Sequence, residues 1–104
     1  MPEFSNPFGV KKSDRTLTKE ELIRAIRFSI ASEYEAVQIY TQLAESIDNK
    51  DAKKLLMEVA HDEVVHAGNF LALLAILDPE EERLYKQGAQ EAIEVMEGKE
   101  DSEP

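Results

Sequence analysis

Two long apolar stripes of helical spacing, separated by a short polar turn, constrain the fold of this chain more than any other feature. At alternating steps of three and four residues, the first stripe runs through Ile23, Ile26, Ile30, Glu33, Val37, Tyr40, Ala44 and Ile47. The second runs through Ala52, Leu56, Val59, Glu63, His66, Phe70, Leu73 and Leu77. This spacing keeps side chains on one face of an α-helix. The pattern therefore predicts two helices that pack against each other through these faces.

Capping signals and a polar turn set the limits of the two helices. Thr18 and Glu21 have the spacing of a capping box, so the first helix is predicted from about Thr18 to about Ile47. The polar residues 48–50 form the turn, and the second helix is predicted over residues 51–77. A turn this short predicts an antiparallel hairpin.

A third, shorter helix follows the hairpin. Asp78 and Pro79 combine a stop signal with an N-cap and a proline at the first helical position, and the helix is predicted to extend to about Glu97. Its apolar residues at helical spacing, which predict a packing face, are Tyr85, Ala89, Ala92 and Met96, with Leu84 and Ile93 beside them. The predicted fold class is therefore all-α, with a two-helix hairpin plus a short C-terminal helix.

The chain divides into one helical domain and two ends without helical periodicity. Residues 1–17 carry prolines, a glycine and a small basic cluster, and are predicted to be a flexible N-terminal segment. Residues 98–104 are short, polar and acidic, and are predicted to be a disordered tail. The helical domain spans residues 18–97.

Composition limits both size and partners. The chain has 104 residues, of which 42% are hydrophobic, so it is at most one domain and buries only a modest core unless it associates. Its net charge of −10 disfavours nucleic acid and anionic membranes as partners and favours cations. No apolar run approaches the roughly 18 residues of a membrane span, and the start of the chain lacks the apolar core of a secretory signal. We therefore expect a cytoplasmic protein.

Three ionisable residues interrupt the apolar stripes at one height. Glu33 lies 16 residues before Asn49 in the turn, whereas Glu63 and His66 lie 14 and 17 residues after it. At about 1.5 Å of rise per residue, all three are roughly 21 to 26 Å from the turn in an antiparallel hairpin. A charged carboxylate in an apolar seam is costly unless it is paired or bound to a metal. The three side chains therefore need each other or a cation.

The spacing and type of these residues favour a metal site. Glu63 and His66 form a Glu-x-x-His pair, which turns both side chains to one face of the helix. The chain has no cysteine, so carboxylate and imidazole are the only strong ligands available. An oxygen-rich set with one nitrogen suits iron or manganese better than copper or structural zinc.

The other histidine, His61, is about 160° away from Glu63 around the helix and is expected to face outward.

The segments SEYEAVQIY, which contains Glu33, and HDEVVH, which contains Glu63 and His66, resemble the ferritin-like carboxylate proteins and most of all the encapsulated ferritins. The resemblance covers roughly residues 18–97. In the ferritin-like proteins two helices each give a Glu and two others each give a Glu-x-x-His, and this chain has half of that set. The resemblance implies a homodimer that forms a four-helix bundle, with Glu33, Glu63 and His66 as ligands to two iron ions per dimer.

The resemblance also implies an activity and partners. Encapsulated ferritins oxidise Fe(II) between two subunits, assemble as rings of dimers and work inside an encapsulin shell. The expectations for this chain are thus a ferroxidase, a ring with a decamer as the expected size, and a place inside an encapsulin nanocompartment in the cytoplasm. Tyr40 matches a tyrosine beside the family's metal site, where it would hydrogen-bond a ligand carboxylate. Glu35 matches an acidic residue on the path by which ions reach the site. Free-standing members end in a docking peptide that the acidic end here does not resemble, whereas other members continue into the shell protein.

Three interpretations remain open from the residues themselves. Manganese suits the ligands as well as iron does. A rubrerythrin-like peroxide reductase uses a similar ligand set but requires an electron donor. A non-enzymatic helical interaction module would use Glu63 and His66 only as partners of each other. Independently of these functions, Tyr40 also fits an aromatic residue of the stripe with a polar tip.

Overall fold

Three α-helices without a β-strand make up the part of the chain that the computed structural model describes, residues 14–98. Helix α1 spans Lys19–Glu45, α2 spans Lys50–Leu77 and α3 spans Pro79–Met96. Helices α1 and α2 pack along each other as a hairpin, and α3 continues from the end of α2. The all-α class and the order of a hairpin followed by a shorter helix are confirmed. No helix within residues 14–98 has both the length and the apolar character that a membrane span requires.

The two predicted end segments lie largely outside this part of the chain. The flexible segment was predicted over residues 1–17 and the disordered tail over residues 98–104, whereas residues 1–13 and 99–104 are not among those described. Both expectations therefore stay predictions. At the described boundary, Gly98 has a positive φ of 78°, the left-handed conformation that ends many helices.

Helix α1 begins with the capping box that its sequence predicts. The Thr18 hydroxyl accepts a hydrogen bond from the Glu21 N–H at 3.2 Å, and the Glu21 carboxylate accepts one from the Thr18 N–H at 2.9 Å. Arg15 donates to both oxygens of the same carboxylate, at 2.6 and 2.5 Å. The Arg15 hydrogen bond first, and then that from Thr18, lower the pKa of Glu21 to about 2. The first turn of α1 is thus held by a charged and fully paired side chain.

The connection between α1 and α2 starts slightly earlier than predicted. Helix α1 ends at Glu45 instead of near Ile47. The side chain of Asn49 accepts a hydrogen bond from the Ala52 N–H at 2.9 Å and so fixes the start of α2. Residues 46–49 therefore form the connection, which keeps the two helices antiparallel and adjacent.

The core of the hairpin lies toward the end that is remote from this connection. Its buried members are Ile23, Ile26 and Ile30 of α1 and Leu74 of α2, with Phe70 and Leu77 partly buried around them. Nearer the connection, the buried residues are alanines, namely Ala44, Ala60 and Ala67. Small side chains at these positions allow the two helix backbones to approach closely.

At three positions, the buried face of α2 lies one residue beyond the predicted stripe. The most buried positions of α2 are Ala60, Ala67 and Leu74, each directly after a stripe residue. Leu73 of the predicted stripe is 38% exposed, and His66 is exposed as well. The stripe is wider than one partner helix can cover, so α1 covers one side of it and leaves the other side open.

Large apolar side chains remain exposed along the whole hairpin. On the two helices they include Phe28, Ile39, Leu43, Leu55, Val65, Leu73 and Ile76. Helix α3 has no buried residue, and the packing face predicted for it is exposed in the single chain. Extended apolar surface of this kind is typical of a contact with another protein surface.

Candidate metal centre

Glu33, Glu63 and His66 come together near the middle of the hairpin, as their distances along the chain from the turn predict. Nδ1 of His66 lies 3.8 Å from Oε2 of Glu33 and 3.7 Å from Oε1 of Glu63. One ligand atom from each residue lies within 4.8 Å of the other two. Antiparallel packing brings residues equally distant from the turn to the same level, because every residue of a helix advances the chain by the same rise.

The two carboxylates are largely covered, whereas the imidazole is open. The exposed fraction of the side chain is 16% for Glu33, 20% for Glu63 and 50% for His66. Oε2 of Glu33 is buried and has no hydrogen-bond partner within residues 14–98. A buried charged oxygen without a partner costs free energy, and a cation held between the three side chains would satisfy it.

The pKa of Glu33 is raised above its ordinary value. The main cause is a hydrogen bond with the Glu63 carboxyl, which Glu33 can donate when it is protonated. Burial and repulsion between the two carboxylates act in the same direction, while the charge of His66 acts against them. A divalent cation reverses this balance, since it favours the ionised form of both carboxylates.

The donor set fits a metal ion that accepts oxygen and nitrogen. Two ligand atoms that are each about 2.0 to 2.2 Å from one ion lie roughly 3 to 4 Å apart. The separations of 3.7 and 3.8 Å fall within that range. Two carboxylates with one imidazole match iron or manganese. Because His66 is half-exposed, the site opens on one face of the hairpin, and further ligands can approach from that side.

The other residues singled out from the sequence do not belong to the cluster of Glu33, Glu63 and His66. His61 faces outward as predicted, with 79% of its side chain exposed and Nδ1 3.9 Å from a carboxylate oxygen of Asp62. Tyr40 and Glu35 are both partly buried. The hydrogen bond of Tyr40 to a ligand carboxylate and the role of Glu35 in guiding ions stay predictions.

One polar cluster, which joins α1 to α3, has no signal in the sequence. The guanidinium of Arg27 binds the carboxylate of Glu81, 54 residues further along the chain. Neither residue belongs to a motif, and a single arginine on a helix surface predicts nothing about so distant a partner. Only the position of α3 against the hairpin reveals the pair.

Similarity to known proteins agrees with this fold. The family model described as Rubrerythrin matches residues 25–101. The chain is 39% identical over 90 residues to the ferritin-like-encapsulin shell fusion protein of Pyrococcus furiosus, which covers 86% of this chain and 26% of that protein. It is 38% identical over 115 aligned positions to the encapsulin nanocompartment cargo protein EncC of Myxococcus xanthus. That alignment covers 100% of this chain and 86% of EncC. The chain thus spans about a quarter of the fusion protein and most of the cargo protein.

The fold is also that of a solved structure. The crystal structure of the encapsulated ferritin domain from Pyrococcus furiosus superposes with a TM-score of 0.80 at 36% identity, over 90% of this chain and 95% of that one. An antiparallel helical hairpin with a Glu opposite a Glu-x-x-His defines the class of ferritin-like carboxylate proteins. Within that class, this chain belongs to the encapsulated ferritins, in the family that the rubrerythrin model describes.

Proposed function

We propose that this protein is a ferroxidase, which oxidises Fe(II) to Fe(III) at a site shared by two copies of the chain. The observation that carries the proposal is the cluster of Glu33, Glu63 and His66. Nδ1 of His66 lies 3.7 and 3.8 Å from oxygens of the two carboxylates, and the buried Oε2 of Glu33 has no hydrogen-bond partner within residues 14–98. Iron is here the substrate, and each Fe(II) loses one electron to dioxygen or peroxide.

A second copy of the chain is needed because one copy supplies too few ligands for two ions. Ferritin-like sites take a Glu from each of two helices and a Glu-x-x-His from each of two others. Helices α1 and α2 contribute one of each, and a two-fold axis doubles the set. The same contact would cover apolar side chains such as Ile39 and Leu73, which are 44% and 38% exposed. The product would be a four-helix bundle with the site between its two hairpins.

The residues of this site would act by offsetting the charge of the iron ions and by fixing their position. In the doubled set, the carboxylates of Glu33 and Glu63 from both copies offset the positive charges of two Fe(II) ions. Flexible carboxylates can bind an ion terminally or bridge two ions, which lets them follow a change in iron charge. His66 anchors the metal to α2 beside Glu63. Metal binding at Glu33 would compete with protonation, because the pKa of this carboxyl is raised in the metal-free chain.

We also propose that the protein stores iron in association with an encapsulin shell. The support comes from its relatives, since one is named an encapsulin cargo protein and another a fusion to an encapsulin shell. Dimers of the chain would join into a larger ring inside such a compartment in the cytoplasm. Co-expression with an encapsulin shell protein, followed by isolation of assembled shells, tests this: the chain should be recovered from the interior, protected from added protease.

Anaerobic titration with Fe(II) followed by exposure to oxygen tests the ferroxidase. Binding should saturate near one iron per chain, or two per dimer, and oxygen should then convert the bound iron to Fe(III). Glu33→Gln should lose this stoichiometry, whereas Asp62→Asn, an exposed carboxylate next to the site on α2, should retain it. A monomer that binds iron equally well at the same three residues would contradict the shared site.

The match to the rubrerythrin model favours one second candidate, a peroxide reductase. Such an enzyme needs electrons from a donor, and this chain has no cysteine with which to hold a rubredoxin-type iron centre. The two functions differ in what they consume. A ferroxidase consumes Fe(II) continuously, whereas a peroxide reductase consumes peroxide continuously with a fixed amount of iron only when a reduced electron donor is supplied.

A further inference from the structure

A polar cluster at the start of α3 connects it to α1. Nε of Arg27 donates to the two carboxylate oxygens of Glu81, at 3.1 and 3.2 Å, and Nη2 donates to the same carboxylate. Nη2 also lies 3.8 Å from Oδ2 of Asp78, and the Tyr85 hydroxyl donates to Glu81. The Glu81 side chain at the centre of the cluster is only 13% exposed.

This cluster bridges helices α1 and α3, whose backbones do not come close to each other. Within residues 14–98, no Cα atom of α1 comes within 8 Å of a Cα atom of α3. Helices α2 and α3 are joined by Asp78 alone, whose φ of −139° and ψ of 79° are not helical. A joint of one residue fixes the distance between two helices but constrains their angle much less. The Arg27 side chain is therefore placed to restrain that angle from the side of α1.

An apolar cavity lies between the beginning of α3 and the hairpin. Its volume is about 420 Å³, and it is lined by Arg27, Ile30, Tyr34, Leu71, Leu74 and Tyr85. Removing such walls from water is favourable, so the hydrophobic effect alone would draw α3 down onto the hairpin. The planar guanidinium opposes this movement, because its paired N–H groups hold a carboxylate in a fixed geometry.

We propose that Arg27 is a strut that sets the direction in which α3 leaves the hairpin. By holding Glu81 and Asp78, Arg27 keeps the rest of helix α3 directed away from the hairpin, and the apolar face of α3 stays accessible to other chains. Arg27 and Glu33 are six residues apart on α1, which places them about 120° apart around the helix. The strut is thus separate from the metal site, and it does not depend on the ferroxidase proposal.

Distance measurements between two nitroxide labels test the strut, and the absence of native cysteine makes specific labelling simple. Exposed positions for the labels are Arg24→Cys on α1 and Glu91→Cys on α3. Labelled chain is diluted with unlabelled chain, so that only distances within one chain are observed. We expect one narrow distance distribution in this background, and a broader distribution shifted to shorter distances when Arg27→Gln or Glu81→Gln is added.

Two further variants make the test decisive. Arg83→Gln is the matched control, since Arg83 pairs with Glu80 of the same helix among residues 14–98, and it should leave the distribution narrow. Arg27→Glu should broaden the distribution, and combining it with Glu81→Arg should restore a narrow one. An unchanged distribution in Arg27→Gln, equal broadening in Arg83→Gln, or a charge exchange that restores nothing would each overturn the strut.

Discussion

The ionised carboxylate of Glu33 favours metal binding but lowers the stability of the metal-free protein. Its pKa is raised in the folded chain, so its ionisation opposes folding in the absence of metal. Below the ordinary pKa of 4.5 the group is protonated in both the folded and the unfolded state, and the cost is absent. The cost appears as the pH rises above 4.5 and is complete above the pKa of the folded state.

Glu33→Gln should therefore stabilise the metal-free protein at neutral pH, because it replaces the carboxylate by an uncharged group of the same shape. In chelator, its melting temperature should exceed that of the parent at pH 7 and equal it below pH 4.5. Asp62→Asn, whose carboxylate is 69% exposed, should change the melting temperature little at either pH. A lower melting temperature for Glu33→Gln at pH 7 would indicate that Glu33 is satisfied by protein partners, as in a purely structural module.

Joint removal of Glu63 and His66 separates the metal site from the structural alternative. In the metal site, Glu63→Ala with His66→Ala relieves an unfavourable cluster, so the protein in chelator should melt at the same temperature as the parent or higher, while iron oxidation is lost. If the two residues instead satisfy each other, the change leaves Glu33 unpaired and a cavity behind, which costs about 2 to 5 kcal/mol. Thermal unfolding in chelator, measured beside Fe(II) oxidation, distinguishes the two outcomes.

At the scale of the element, the start of α1 depends on one carboxylate with an unusually low pKa. Glu21 has a pKa of about 2 in the folded chain against an ordinary 4.5, chiefly because of Arg15. A lowered pKa stabilises the fold above the ordinary pKa, and this contribution is lost as the pH falls from 4.5 toward 2. Acid should thus loosen the first turn of α1 only below pH 4.5.

The measurement is a pH titration of the Glu21 side-chain carbon by NMR. Its midpoint should lie near pH 2 in the parent and move toward 4.5 in Arg15→Ala. Arg24→Ala, an exposed arginine further along α1, should leave the midpoint unchanged. If the titration midpoint of Glu21 is the same in Arg15→Ala as in the parent, the low pKa is caused by the helix terminus and not by the ion pair.

For the whole molecule, the metal site and the exposed apolar surface predict assembly that depends on iron. Bringing two hairpins together without metal places like-charged carboxylates side by side, whereas bound iron favours the state in which the site is complete. Sedimentation under anaerobic conditions should show larger species with Fe(II) than in chelator. His66→Ala should remove this response while keeping the apolar surface. Identical distributions with and without Fe(II) would contradict the prediction.

The three helices, their order and the meeting of Glu33 with Glu63 and His66 can all be predicted from the sequence. These features depend on local periodicity, capping residues and equal distances from one turn, all of which are visible in a linear chain. Tyr40 and Glu35 are different, because their predicted roles depend on a second subunit as well as on the positions of the side chains.

How the helices share their surfaces depends on three-dimensional packing and could not be predicted from the sequence. The most buried positions of α2 each lie one residue beyond the stripe, and two of them, Ala60 and Ala67, have small side chains that permit the two helices to pack closely. The pair of Arg27 and Glu81 likewise depends on the angle between α3 and the hairpin. Such contacts join residues far apart in the chain through three-dimensional packing, and no periodicity along the sequence encodes them.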